Sequence, residues 1–411
     1  MGNDQRTELQ SVEAALEALL DGVLPLGAER ISASEAAGRV LAAEVQALLD
    51  VPPADNSAMD GYALRAAEAG QVLPISQRIA AGASPQPLAP GSCARIFTGG
   101  EIPPGADCVV MQEKVEECAE GVRVPGGIEP GNNIRARGRD VRAGIRLLPA
   151  GTCLEAAALG HLAGQGITEV AVRRRPRVAL LSTGDEIIDP GRPLGPGQIY
   201  NTNRPMLKRL LERFGAEVVM AISVPDDFEA TCETLRQAAD QADAVVSTGG
   251  VSVGEEDHVK HALERLGRLD LWRLAMRPGK PLALGRLPRS TRDGHAGEAR
   301  FVGLPGNPVS GFVGAWIYLR PLMGALLDSP RLARLPGLRA RSTFATSTQA
   351  RRHYMRVKLE FGAEGISAHA FDDQNSAVLS SCVEADALAV IPVHSEIRQG
   401  DIIECLWLVE N

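Results

Sequence analysis

Apolar positions along the chain fall into distinct textures. Over residues 9–20, LQSVEAALEALL, they recur at helical spacing and stop at Asp21-Gly22, which predicts a helix. From about 27 to 150 the apolar runs are short and β-like (CARIF, DCVVMQ, GVRVP). They lie between Gly-Pro punctuation such as IPPGAD and GGIEPGNN, the pattern of an all-β or mixed segment rich in turns. Helical spacing returns over 154–163, LEAAALGHLA, and the arginines of RRRPRV (173–178) read as a solvated linker entering a strand, or else as a basic patch.

From 177 to 328 strand and helix alternate. RVALLST is a continuous apolar run, as a parallel strand covered on both faces requires. NRPMLKRLLERFG puts Asn203 at a cap, Pro205 in the first turn and Gly215 at the end. Its Met206, Leu207, Leu210, Leu211 and Phe214 form one stripe that belongs to a core. There follow AEVVMAISV, a helix over 228–241, ADAVVSTGG and a helix over 257–266. LDLWRLAM, PLALGRL, RFVGLPG and a helix from Pro308 to Leu327 complete a doubly wound parallel α/β domain. The polar stretch 288–299, PRSTRDGHAGEA, reads as a solvated loop. Beyond about 330 short strands return, ending in ALAVIPVHSEIRQGDIIECLWL, a small β-barrel or sandwich.

A length of 411 residues suits two to four domains at about 100–200 residues each. With 45% apolar and 23% charged residues the chain can bury real cores. Only 4% of residues are aromatic, which speaks against base-stacking platforms for single-stranded nucleic acid. A net charge of −8 attracts neither nucleic acid nor anionic membrane, so an anion bound here must be held by local groups against the overall field. No run of about 18 apolar residues indicates a membrane span. MGNDQRTELQ lacks an apolar signal core, which points away from export. Cys93, Cys108, Cys118, Cys153, Cys232, Cys382 and Cys405 are odd in number and scattered, as reduced thiols of a cytoplasm are.

The chemistry gathers after the strands. Thr183-Gly184-Asp185-Glu186 follows one, Ser247-Thr248-Gly249-Gly250 with Ser252 and Asp257 a second, and Pro305-Gly306-Asn307-Pro308 with Ser310 a third. In a parallel sheet all three loops leave at the carboxyl edge, where such folds bind ligands. Gly-Gly lets backbone N–H groups approach an anion, and helix starts add further donors. GGVSVG is not G-x-G-x-x-G, and no G-x-x-x-x-G-K-[ST] occurs, which excludes an ordinary dinucleotide fold or P-loop. In AMRPGKPLALG, Arg277 and Lys280 flank a Pro-Gly turn, a planar fork and a point charge suited to a tetrahedral oxyanion or a phosphate, or else two surface cations at a hairpin. Asp185, Glu186, Asp226, Asp227 and Asp257 supply hard oxygens for Mg²⁺ bridging to phosphate, with Asp226 or Asp227 alternatively a helix cap. His258 and His261 share a face but have no third nitrogen or sulfur ligand for a transition metal. Far upstream, DNSAMDGYALR (55–65) crowds polar groups around Asp60-Gly61, a turn signal because both residues accept positive φ.

Taken together, DNSAMDGYA, FTGGEIPPGADCVVMQE, STGDEI, GQIYNTN, STGGVSVGEEDHVK, PGKPLALG and GLPGNPVS resemble, in order, the motifs of the MoeA-type molybdopterin molybdenumtransferases. The resemblance implies an elongated, cytoplasmic homodimer of four domains. These are a discontinuous connecting domain (1–53 and 141–175), a β-rich domain (54–140), an α/β molybdopterin-binding domain (176–328) and a C-terminal β-barrel (329–411). It further implies insertion of molybdenum from molybdate into adenylylated molybdopterin, with Mg²⁺-dependent release of AMP. The dithiolene sulfurs are then the nucleophiles, and no Ser-His-Asp set is needed. Molybdate and tungstate, tetrahedral dianions of similar size, fit this reading equally.

By the same resemblance Asp60, Thr98 and Asp140 face the active cleft of the partner subunit, and Glu186 and Asp257 handle ligand or metal. Thr183, Gly249, Gly250 and Ser252 line the substrate; Arg273, Arg277 and Lys280 are basic positions, and Pro305, Pro308 and Ser310 form the Gly-Pro loop. RRHYMRV offers Arg356, with Arg351 beside it, as a molybdate-binding cation from the last domain, and DQNSAVLSS offers Ser376. Arg273 and Arg277 stand where many members carry Lys, and DQNS replaces the more familiar xQGS. The implied partners are the two substrates, a second copy of the chain, and the adenylyltransferase and other proteins of cofactor biosynthesis. Nucleic acid and membrane are not among them. Two rival readings are adenylylation of molybdopterin, as in the sister family, and a non-catalytic carrier resembling gephyrin's clustering role.

Overall fold

The computed structural model describes residues 9–251, 258–290, 297–333 and 336–408. The chain forms two compact units: Arg30–Ala37 with Ala43–Val170, and Met1–Glu29 with Gly38–Ala42 and Ala171–Asn411.

The unit built mainly from residues 43–170 centres on a four-stranded sheet of β1 (Gly61–Leu64), β2 (Ile75–Ile79), β3 (Cys93–Ile96) and β4 (Cys108–Met111), in the order β2-β3-β1-β4. All four residues of β1 are buried, because the sheet is covered on both faces. Tyr62 and Leu64 pack with Leu73, Val110 and Val122 on one side, and Ala63 with Ile79, Ile96 and Val109 on the other. The turn expected at Asp60-Gly61 is corrected here, since Gly61 adopts no positive φ and opens β1 instead. Glycine is required there by strand proximity: a Cβ would lie 2.0 Å from the carbonyl oxygen of Val110. The expected helix near 154–163 forms over Ala156–Gly164.

The other unit holds a six-stranded sheet: β5 (Arg177–Thr183), β6 (Glu217–Val224), β7 (Ala244–Thr248), β8 (Arg268–Arg273), β9 (Pro281–Arg289) and β10 (Gly297–Leu304). The order is β6-β5-β7-β10-β9-β8. Strands β6, β5, β7 and β10 run parallel, but β9 is antiparallel to both β10 and β8. The sheet is therefore mixed rather than wholly parallel, because among the described residues no helical crossover separates β8, β9 and β10. The polar stretch 288–299 is also corrected: Pro288 pairs with Glu298 and Arg289 with Gly297, so both strands run into it. Residues 291–296 of this stretch lie outside the described residues.

Helices cover both faces. On one side α1 (Val12–Leu20), α2 (Asn203–Arg213) and α5 (Pro308–Gly314) share a core with Val178, Leu180, Val246, Val302 and Leu304. On the other, α3 (Phe228–Gln241) and α4 (His258–Leu266) pack on Ala179, Leu181, Val245 and Phe301. Removing a side chain such as Leu180 or Leu304 from water stabilises the fold by roughly 2 kcal/mol each. The α2 stripe is buried as its spacing predicts, with Met206 at the margin. Its cap differs: Asn201, not Asn203, accepts from the N–H of Arg204 (3.0 Å). Asp227 caps α3 by accepting from Ala230 N–H at 2.7 Å, one of the two expected caps. The helix continuing from α5 to Leu327 through a π turn is, contrary to expectation, long and apolar enough to span a membrane, yet 89% of that window is buried inside the protein. It is a core helix.

The last strands, β11 (Gly337–Ser342), β12 (Arg352–Gly362), β13 (Gly365–Ala370), β14 (Ala387–Ile391) and β15 (Ile402–Trp407), close as a barrel in the ring β12-β13-β11-β15-β14-β12. Closure satisfies edges that a sandwich would leave open. Met276 and Arg277 pair parallel with Arg352 and His353 of β12, which attaches the barrel to the α/β sheet.

Candidate functional site

Topology gathers the predicted chemistry at one edge. The loops after β5, β7 and β10 leave at their shared carboxyl ends. Two reversals separate β8 from β10, so β8 runs in the same direction and ends at Arg273 on the same edge. Residues 274–280 therefore turn there as well, although no helix intervenes. The N–H of Leu274 donates to the carbonyl of Lys280 (2.9 Å) and closes that turn.

The loops pack on one another through glycine. Thr183 Oγ1 donates to the carbonyl of Thr248 (3.3 Å), and Gly249 N–H donates to that of Leu304 (3.1 Å). Gly249 has φ +86°, and a Cβ there would lie 2.7 Å from Thr183 Oγ1. Gly306 approaches Gly249 closely, and a Cβ on Gly279 (φ +97°) would lie 3.8 Å from Ser310 Cβ and 3.9 Å from Pro305 Cγ. The turn bearing Arg277 and Lys280 thus sits against the loop bearing Pro305 and Ser310. Both cations are exposed, and neither has an ion pair or side-chain hydrogen bond among the described residues. Arg273 is half-buried, its carbonyl accepting from Gln10 N–H (3.0 Å).

Beside the turn lies a cavity of about 210 Å³ lined by Arg277, Thr346, Ser347, His353, Arg356 and Gln374. Burial, with Arg277 and Arg351 nearby, holds His353 below its usual range.

Asp185 and Glu186 are exposed on the first loop, and the Glu186 carboxylate folds back over Gly184. Asp185 Oδ1 accepts from Asp226 N–H (3.3 Å), and Asp226 Oδ1 lies 3.7 Å from His258 Nε2. Ser252 and Asp257 lie outside the described residues. Among those described, no three His, Cys, Asp or Glu side chains gather as a metal site.

One expected anion ligand is enclosed by its own loop. Arg356, expected to reach for molybdate, is 1% exposed, and four of its five guanidinium N–H donors go to protein oxygens. Nη1 donates to Gln374 O (3.0 Å), Nη2 to Asp373 O and Asn375 O (both 3.1 Å), and Nε to Ser381 Oγ (2.9 Å). The loop it grips leads to Ser376, whose carbonyl accepts from Val309 N–H (3.1 Å) in the first turn of α5, one residue after Pro308.

Sequence reasoning missed two asparagines inside GQIYNTN. Asn203 Nδ2 donates to Gly306 O (2.7 Å), and Asn201 Nδ2 to Ser182 Oγ (3.0 Å), so the motif braces the loop after β10 and the end of β5 itself. Paired amides just ahead of a helix were the available signal.

In the other unit the structure brings Asp60 and Thr98 together. Asp60 Oδ1 accepts from both Thr98 Oγ1 and Thr98 N–H, each at 2.7 Å. These bonds hold its carboxyl below the usual range, with a lesser contribution from Arg95. Arg95 donates to Gly61 O (2.9 Å) and lies 4.7 Å from the ring centroid of Phe97. Asp140 is exposed, and its side chain bonds neither residue.

Three family models match this chain: "MoeA N-terminal region (domain I and II)" over 10–166, "Probable molybdopterin binding domain" over 179–325, and "MoeA C-terminal region (domain IV)" over 339–408. The molybdopterin molybdenumtransferase of Haemophilus influenzae is 39% identical over 323 residues, which are 78% of this chain and 78% of that protein. This chain belongs to the molybdopterin molybdenumtransferase family. The Synechococcus elongatus molybdopterin molybdenumtransferase is 36% identical over 396 residues, 93% of this chain and 95% of its own. A crystal structure of the molybdopterin biosynthesis moeA protein from Pyrococcus horikoshii OT3 superposes with a TM-score of 0.83 at 27% identity, covering 97% of this chain and 100% of that one. As a molybdopterin molybdenumtransferase the chain is a transferase of molybdenum cofactor biosynthesis. The edge built by Thr183, Gly249, Arg277, Lys280, Pro305 and Ser310 lies wholly within the segment matched as a molybdopterin-binding domain.

Proposed function

We propose that the chain takes adenylylated molybdopterin and molybdate, inserts molybdenum into the dithiolene and releases AMP with Mg²⁺ present. The observation that carries this reading is the exposed, unpaired couple Arg277 and Lys280, packed through Gly279 against Pro305 and Ser310 where three Gly-bearing loops converge. A tetrahedral dianion is stabilised only by donors held in place before it arrives. Arg277 supplies a fork, Lys280 a point charge and Ser310 a hydroxyl, with Arg273, Thr183, Gly249, Gly250, Ser252, Pro305, Pro308 and Ser376 shaping the surround.

Glu186, exposed and turned toward the loop backbone, offers hard oxygen, and Asp257 is its proposed companion. One or two carboxylates with substrate phosphate oxygens and water is the usual setting of Mg²⁺, so these residues fit it. When bound, the ion would offset charge developing on phosphate oxygens. We place Asp60, Thr98 and Asp140 in the site of a partner subunit within a cytoplasmic homodimer and retain the four-domain division. The adenylyltransferase supplies the substrate.

Incubation with adenylylated molybdopterin, Mg²⁺ and molybdate should release AMP. Consumption of ATP in its place would mark an adenylyltransferase, and no product at all a carrier.

A further inference from the structure

The buried guanidinium of Arg356 has no carboxylate within 4 Å among the described residues, and Asp373 attracts it only from farther off. Burying a cation unpaired is costly unless oxygens surround it. Here they do: the carbonyls of Asp373, Gln374 and Asn375 all turn toward one point, and Ser381 Oγ completes the ring. Three successive carbonyls aimed together repel one another, so this loop shape requires a donor at its centre, and the five-donor fork of arginine suits it. Gln374 adds a second tie: its Oε1 accepts from Arg356 N–H (3.0 Å), while Nε2 donates to Arg356 O (2.9 Å). The shape has a consequence at the edge described above. It delivers the carbonyl of Ser376 to Val309 N–H, a first-turn donor of α5 that has no partner within the helix.

We infer that Arg356 is a positioning residue: it moulds residues 373–376 so that Ser376 docks on α5 next to Ser310, and it does not touch the substrate. Its activity readout rests on the molybdenum-transfer reading; its structural readout does not.

The full-length chain is tested with Arg356→Lys, which keeps the charge but loses the fork, and with Ser381→Ala, which removes the Nε acceptor together with the Ser381 hydroxyl's own bond to the carbonyl of Val378 (2.7 Å). Hydrogen exchange at the backbone amides of positions 309 and 356, both protected by this loop, should accelerate at least about tenfold in the first variant and several-fold in the second. AMP release at saturating molybdate should fall at least about tenfold in Arg356→Lys, with KM for molybdate changed less than about twofold. Should that variant fail to fold, Ser381→Ala still carries the exchange test. Unchanged exchange in a folded variant overturns the inference. So does a raised KM with turnover restored by excess molybdate, which would make Arg356 a direct ligand. If the wild-type chain releases no AMP, the proposed reaction falls, and the exchange rates alone judge Arg356.

Discussion

Asp60 keeps its charge because one residue grips it twice. Removing the hydroxyl with Thr98→Val should move the Asp60 titration up toward the ordinary carboxylate value of 3.8, as read by carboxyl NMR. The sign follows from the depressed native value. Its stabilisation is present above the unfolded pKa and lost as pH falls through the folded one, so the variant, which keeps the Thr98 N–H bond, should lose part of that acid-side dependence. A titration that stays in place would deny Thr98 this role. Lys280→Ala should lower AMP release at low molybdate by about ten- to a hundredfold, the scale of one charge-assisted hydrogen bond, with circular dichroism unchanged. Wild-type turnover there would remove Lys280 from the oxyanion site. Calorimetry should find little Mg²⁺ binding to the free chain and clear binding with adenylylated molybdopterin. Glu186→Gln should abolish the second signal, because the amide keeps the shape without the charge. Tight binding to the free variant would put the ion elsewhere.

Among elements, β1 shows how a motif can be legible for the wrong reason. Asp60-Gly61 reads as a hairpin turn, yet Gly61 is a strand residue whose missing Cβ makes room for Val110. Gly61→Ala should therefore cost about 1–3 kcal/mol, seen as a lower urea midpoint at unchanged slope. An unchanged midpoint would mean that β4 can yield. Alternation of strand and helix over 177–328 was readable because central strands such as RVALLST and AVVST are nearly continuous apolar runs and the helices carry stripes. Reversal of β9 was not readable: PLALGRL has the same buried composition whichever way it runs.

On the scale of the whole molecule, the homodimer proposal has a direct consequence. Asp60→Ala and Glu186→Ala protomers, each inactive alone, should recover up to about a quarter of wild-type AMP release once mixed and exchanged, if the two groups serve one site from opposite chains. Proven heterodimers without recovery would place both groups in one subunit.

What the residues alone determined was local or periodic: apolar stripes and runs, glycine-bearing loops after strands, and a Pro-Gly turn holding two cations. Such features depend on neighbours a few positions apart, and they located Thr183, Gly249, Arg277, Lys280 and Ser310 before any coordinates. Tertiary structure decided what depends on distant partners. It brought the 274–280 turn to the shared edge through the paired reversals of β8 and β9. It also assigned Asn203 to a carbonyl more than a hundred positions away. And it turned the fork of Arg356 onto carbonyls of residues 373–375, because an arginine in RRHYMRV carries no sign of which oxygens its fork meets. That choice rests on burial and on which oxygens the fold turns inward, and burial is a property of the folded chain.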